Sequence, residues 1–334
     1  MAMTEKVQHK IVGTGSFTYE TVVSWEKLPN DWSFVETVGM ATDSQDRVYV
    51  FNRSEQPVIV FDREGNFLHA WGKGRFVRPH GIWIGPDDML YLADDEDHTL
   101  GKYTPDGQLV MKLGTSGQGS DTGIKDKDYR TIKGGPPFNK PTNLALDPAG
   151  NMYITDGYGN CKVHKFSPDG QHLLSWGEPG TGPGQFNIPH GIGIDSRQRL
   201  YICDRENSRI QIFDTEGNLL DLWTHVVRPC EAFIDSHDNV FVAELGTRVG
   251  LLPWMNFPAT SPGGRVSIFD TTGNLQSRWG GGDEPGTPGD FLAPHDIWVD
   301  SQGSIYVGEV IVSSTGNKQP VGCPSLQKFS LVKK

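Results

Sequence analysis

The sequence predicts an all-β fold: a single six-bladed β-propeller whose ring is closed by an N-terminal strand. Three observations predict it. The 334 residues hold 41 Gly and 22 Pro, so Gly stands at about 12% against a usual ~7%, without a collagen period. A unit of about 40–50 residues recurs six times, which is the period of propeller blades. Each copy carries the turn residues of a four-stranded antiparallel meander.

The first copy spans 39–72, GMATDSQDRVYVFNRSEQPVIVFDREGNFLHAWG. The next three cover 78–114, 140–177 and 188–224. The fifth, 228–280, carries the insertion LGTRVGLLPWMNFPATSPGG, and the sixth runs over 293–332. Each reads as an apolar strand, a turn, a strand with a central aromatic, a third strand ending in Phe or Tyr, and a last strand ending in Trp-Gly. REGN, PDGQ, PDGQ, TEGN and TTGN mark the last hairpins, where Gly supplies a positive φ. Triplets such as IWI, LYL, IYI and VYV fit strands buried on both faces of a stacked array. The sixth copy lacks its last strand, and TVVSWEKL at 21–28 resembles it. That segment should complete the last blade, because closure removes two open sheet edges. A solenoid would instead need polar capping repeats.

Charge and cysteine limit the partners. The net charge is −11, so the basic face that nucleic-acid binding requires is not expected. No run approaches the ~18 apolar residues of a membrane span. The opening MAMTEKVQHKIVGTGS has no apolar core of a secretory signal. Cys161, Cys203, Cys230 and Cys323 form no CxxC pair. A cytoplasmic protein with reduced thiols is the expectation.

Aligning the copies exposes a candidate site. The central aromatics of the second strands are Tyr49, Tyr91, Tyr153, Tyr201, Phe241 and Tyr306. Eleven residues earlier stand Val38, His80, Thr142, His190, Cys230 and His295. The histidines occupy blades two, four and six, and alternate positions of a sixfold ring form a triangle about its axis. Three imidazoles converging there suit Zn²⁺ with one open position. The competing reading is a PH repeat consensus with each ring bonded locally, and strict alternation argues against it.

A second column lies just after the central strand: Arg53, Asp95, Gly157, Arg205, Leu245 and Val310. Arg53 and Arg205 are candidates to bind a carboxylate, or they pair with acidic neighbours such as Glu206. Tyr158, in the turn of blade three, is a candidate acid/base or a packed turn aromatic.

The blades resemble NHL repeats, and the His–Arg–Tyr set resembles peptidyl-α-hydroxyglycine α-amidating lyase. The strongest stretches are DGYGN at 156–160, WGEPGTGPGQFNIPHGI at 176–192, DRENSRIQIF at 204–213 and APHDIWV at 293–299. The resemblance implies Zn²⁺ on His80, His190 and His295, Tyr158 as acid/base, and Arg53 and Arg205 at the substrate. It also implies a structural Ca²⁺ held by the Asp296 carboxylate and the backbone carbonyls of Met40 and Ile82, a ligand chemistry that suits a hard cation. The chain departs from the family at Ala293, where the family has Met. Gly159, Ile202 and Ile212 stand where the family has disulfide cysteines, which agrees with a reducing compartment.

The implied reaction is a C–N lyase step that cleaves R–CO–NH–CH(OH)–COO⁻ to an amide and glyoxylate. The expected partner is a small α-hydroxyglycine-type substrate carrying a carboxylate; ureidoglycolate shares that core. Another zinc-dependent hydrolase or lyase, and a non-enzymatic NHL scaffold, remain alternatives. The inserts at 115–139, 246–263 and 310–324 should rim one face. Cys230, in the histidine column, is read as a buried residue or a site-lining thiol.

Overall fold

The computed structural model describes residues 9–252 and 255–333; half of the opening segment read above for a signal, residues 1–8, lies outside them. The described residues form six antiparallel sheets around a ring, five of four strands and one of five. The innermost strands are Thr37–Thr42, Pro79–Ile84, Pro141–Leu146, Pro189–Ile194, Pro229–Ile234 and Pro294–Val299. Each packs against its successor, and the last packs against the first, so the ring is closed.

Two local features recur at the start of these strands. Five of the six open on Pro, which has no N–H to offer a ladder and is tolerated at a first strand position. All six then break register within the next few residues, for example between Pro79 and Ile82 and between Pro294 and Asp296. Such a bulge bends the strand and re-aims a side chain. Here it falls on the histidine column.

Burial grades outward. The second strands are buried throughout, whereas the fourth strands expose Leu68, Val110, Leu173, Leu220 and Leu275. Four of the five central tyrosines are completed by turn carboxylates; Tyr91, with Gly85 in the place of the acid, is not. Tyr49, Tyr153, Tyr201 and Tyr306 donate their hydroxyls to Asp43, Asp147, Asp195 and Asp300 at 3.0–3.2 Å. A buried phenol without a partner would cost free energy; blade five, with Phe241 in that place, needs none.

The ring closes as an N-terminal strand joining the last blade, but that strand is Phe17–Val22 rather than 21–28. It pairs with Leu326–Leu331, and a further strand, Ile11–Thr14, pairs on its outer side. Residues beyond Val22 leave the sheet to reach blade one. Trp25 nevertheless does what the blade-ending tryptophans do. Its ring lies 5.4 Å from Phe61 of the following blade, as Trp71 lies 5.5 Å from Tyr103 and Trp223 lies 5.7 Å from Phe269. Its Nε1 donates to the carbonyl of Arg63 at 2.8 Å. Trp25→Ala opens the seam between the first and last blades, and a loss of ~3–5 kcal/mol is expected from the cavity. A denaturant midpoint that falls with unchanged slope would show it.

Candidate metal centre

The bulged inner strands bring His80, His190 and His295 to the axis. Their ring centroids are 4.8, 4.8 and 4.7 Å apart. One ligand atom from each lies within 4.8 Å of the others. All three are at most 4% exposed.

The intervening positions of the column take part through their backbone. Nδ1 of His80 lies 2.7 Å from the carbonyl of Thr142, that of His190 lies 2.8 Å from Cys230 O, and that of His295 lies 2.8 Å from Val38 O. Thr142, Cys230 and Val38 are the three non-histidine members of the same column. Each histidine therefore donates Nδ1–H to its equivalent in the next blade, and the tautomer is fixed with an Nε2 lone pair facing the axis. A glycine follows two of the histidines because the blades approach closely there. A Cβ on Gly81 would lie 2.4 Å from Thr142 O, and one on Gly191 would lie 2.3 Å from Cys230 O.

Burial holds all three imidazoles well below their usual pKa. For His80 the neighbouring His190 and His295 add to that effect, and for His190 the Arg205 guanidinium does. Three neutral, pre-oriented nitrogen donors converge with no side-chain proton donor between them other than the Tyr158 hydroxyl. That donor set fits Zn²⁺ and is wrong for Ca²⁺ or Mg²⁺.

Tyr158 reaches the centre from blade three. Its turn packs against the strand carrying His190, where a Cβ on Gly157 would meet Pro189 O at 2.0 Å. The hydroxyl lies 3.3 Å from His80 Nε2 and 3.2 Å from His190 Nε2. Arg205 donates Nη1–H to it at 3.1 Å. The Arg205 and Arg78 guanidinium carbons sit 5.3 and 5.7 Å from the Tyr158 ring centre.

A pocket of about 150 Å³ opens onto this group, lined by His295, Tyr158, Arg53, Arg78 and Arg205 among others. Each arginine is held by a buried acid. Arg53 bonds Glu36 at 2.5 Å, Arg205 bonds Glu206 at 2.8 Å, and Arg78 bonds Asp95. Burial pushes Glu36 up, but Arg53 and the Ser313 amide outweigh it and its pKa falls. Burial likewise pushes Glu206 up, and Arg205 and Arg228 bring it below its usual value. Arg228 uses all five N–H groups on Glu206 and on the carbonyls of Gly246, Val249 and Gly250. It thereby ties the insert of blade five to the acid that orients Arg205. Glu36 does the same for the last insert through Val312 N and Ser313 N.

Asp296, one residue after His295, lies in a second layer. It is buried and accepts from the Met40 N–H. The N–H and C=O of one strand residue point to the same side, so the Met40 carbonyl faces this layer as well. Ile82 lines the same small cavity, with Asn143 and Glu231. Burial raises the Asp296 carboxyl well above its usual pKa and Glu231 adds to it; burial raises Glu231 to about 7. Asn143 Nδ2 donates to Glu231 at 2.5 Å. Two buried carboxyl groups with no cationic side chain against them fit a hard cation.

Acids at the ends of the second strands brace the centre. Asp94 accepts from Val77 and Arg78, Asp204 from Asn187, and Glu309 from Leu292 and Ala293, in each case just ahead of a histidine. Burial raises the Glu309 carboxyl to about 7. The folded protein holds this proton up to about pH 7, whereas the unfolded chain releases it near ~4.5, so its ionisation costs stability as pH rises through that window. Glu309→Gln should therefore gain on the parent by on the order of 3 kcal/mol between about pH 4.5 and pH 8. Equal pH dependence of the two unfolding curves would refute this.

Sequence reasoning named Glu206 as a partner for Arg205, which the structure shows, but did not single out Arg78, Glu36, Arg228, Glu231 or Asn143 for the site. A signal existed for most. Two residues before the histidine column stand Glu36, Arg78, Lys140, Ile188, Arg228 and Ala293, and one residue after it stand Gly39, Gly81, Asn143, Gly191, Glu231 and Asp296. Cys230 itself is fully buried, and burial lifts its thiol to about 11.

Fold and site define a six-bladed propeller with a buried three-histidine centre able to hold a metal. The NHL repeat model matches residues 186–213. NHL repeat-containing protein 3 of Homo sapiens is 30% identical over 315 residues, covering 89% of this chain and 83% of that protein. The chain belongs to this family of NHL-repeat propellers. Peptidyl-alpha-hydroxyglycine alpha-amidating lyase 1 of Drosophila melanogaster is 32% identical over 161 residues, 45% of this chain and 27% of that protein, so the propeller is lyase-like. A gluconolactonase from Xanthomonas campestris superposes with a TM-score of 0.62 over 96% of this chain and 95% of its own, at 13% identity, a likeness of fold alone. No helix of the described residues is long and apolar enough to cross a membrane.

Proposed function

We propose that the protein is a zinc-dependent C–N lyase that cleaves an N-acyl or ureido α-hydroxyglycine to an amide and glyoxylate. The observation that carries this is Tyr158 Oη, within hydrogen-bond reach of two inward Nε2 atoms and of Arg205, at the floor of an arginine-lined pocket.

His80, His190 and His295 hold the zinc, which supplies Lewis acidity toward the substrate α-hydroxyl. Arg53 and Arg205, with Arg78 beside them, bind the substrate carboxylate and set its orientation. Tyr158 moves the proton between the hydroxyl oxygen and the leaving nitrogen. The C–N bond breaks, its electron pair goes to nitrogen, and the hydroxyl-bearing carbon becomes the aldehyde of glyoxylate. No redox change occurs and atoms balance without water. Glu36, Asp95 and Glu206 are positioning residues for the three arginines. The Asp296 layer, with the Met40 and Ile82 carbonyls, holds Ca²⁺ as a structural ion. The substrate is a small molecule, and the unpaired, buried Cys161, Cys203 and Cys230 support a reducing, cytoplasmic setting.

The test uses untagged protein. About one zinc per chain and release of benzamide with glyoxylate from α-hydroxyhippurate are expected. Release of benzoate and ammonia in place of benzamide would indicate a hydrolase, since the α-hydroxyglycine it frees also collapses to glyoxylate, and full activity in a chelator without bound zinc would overturn the metal reading.

A further inference from the structure

We infer that a trough beside the arginine pocket receives the acyl group of the substrate and selects an aryl-sized, non-cationic one. This rests on the lyase reading and names the substrate class of the same site.

Volume sets the division of labour. The pocket over the histidines holds about 150 Å³, a size that takes benzene, with its roughly six heavy atoms. The head N–CH(OH)–COO⁻ has about as many heavy atoms as benzene and fills that space. Anything attached to the amide carbonyl must lie elsewhere. A second cavity of about 360 Å³ adjoins, and Arg78, Tyr158 and Arg205 line both. The head and its acyl group can therefore straddle Tyr158, with the scissile C–N bond above its hydroxyl.

The chemistry of the trough then limits that group. Ile124, Tyr129, Ile188 and Leu252 supply apolar surface, contributed by the two inserts at 115–139 and 246–263 and by the strand entry of blade four. Apolar walls of this volume favour an aromatic or branched acyl body over acetyl. Charge works in the other direction against cations. Arg78, Arg205, Lys127 and Lys140 line the trough with one acid, Glu96, which bonds Lys140 at 2.7 Å; Asp95 and Glu206 stand behind the two arginines, so Lys127 is the charge in excess at the wall. A cationic acyl group would meet an excess of like charge, which is how sites reject a competitor.

The experiment measures kcat/KM for three α-hydroxyglycines that differ only in the acyl group: benzoyl, acetyl and 4-(aminomethyl)benzoyl. The benzoyl compound should exceed each of the others by about tenfold or more. Ile124→Asp and Leu252→Asp should each cut the benzoyl-to-acetyl ratio by about fivefold or more. A smaller preference in the parent, or a ratio both variants leave in place, overturns the assignment. If none of the three compounds releases glyoxylate, it is the lyase reading that fails. The trough is then judged by calorimetric binding of hippurate against aceturate to the zinc-loaded protein, with the same variants and the same required ratios.

Discussion

His190→Ala is expected to leave a folded propeller that no longer binds zinc and releases glyoxylate at least ~10³-fold more slowly, a barrier increase of ~4 kcal/mol. The size of the effect follows from how the site is built. Each imidazole is clamped through Nδ1 to a backbone carbonyl of the next blade, so neither of the remaining two can swing to replace a lost donor. Two nitrogens and a half-buried phenol do not make a zinc site. The fold should survive. The truncation empties a small space at the axis and leaves the Cys230 carbonyl without its donor, a cost of ~1–3 kcal/mol. Elemental analysis, glyoxylate release and the thermal midpoint read the three quantities separately. A variant that keeps both metal and turnover would refute the three-histidine centre; one that loses turnover but keeps metal would move the role of His190 from ligand to substrate contact.

The histidines were legible because a repeat alignment turns sequence offset into position around the axis. The column eleven residues before the central aromatic held three identical residues in strict alternation, and chance rarely does that. The reason for the alternation was not legible. Nor was the anchoring of each ring, which uses backbone carbonyls of the intervening positions, whose side chains, Val38, Thr142 and Cys230, share nothing. Arg53 and Arg205 stood out as basic residues in an acidic protein. Arg78 and Arg228 did not, because they stand ahead of the histidines at the strand entries, where nothing in the repeat marks a residue as facing the channel; Arg78 is held by Asp95 of its own blade and Arg228 by Glu206 of the blade before. The same holds for Glu231, whose meaning depends on Asp296 of the neighbouring blade. Ring closure was read from the segment 21–28, whose Trp25 does pack as a blade-ending tryptophan, but the paired strand lies at Phe17–Val22. There buried Tyr19 and Thr21 alternate with half-buried Thr18 and exposed Glu20, which matches a strand with one covered face.

Tyr158→Phe separates proton transfer from binding. The substitution removes one oxygen and keeps the ring, which packs edge-on against His80 and His190 at 5.2 and 5.7 Å and lies between the Arg205 and Arg78 guanidinium groups. The zinc donors and Arg53 are untouched, and Arg205 loses one acceptor but keeps its bond to Glu206. Metal content and KM should therefore stay close to the parent, KM within about threefold, while kcat falls by ~10²–10⁴, the usual worth of a positioned acid or base. Arg205→Met acts on the same hydroxyl from the other side. It removes the 3.1 Å donor to Tyr158 and one carboxylate contact together, so kcat and KM should both suffer. It also leaves Glu206 with Arg228 as its one remaining cationic partner, so some stability should be lost with activity. The two variants are diagnostic as a pair. If Tyr158 were only a turn aromatic, the Phe variant would match the parent in kcat, and the loss in Arg205→Met would sit in KM alone. If Tyr158 transfers the proton, the double variant should be little slower than Tyr158→Phe in kcat, because residues that act as a unit are not additive.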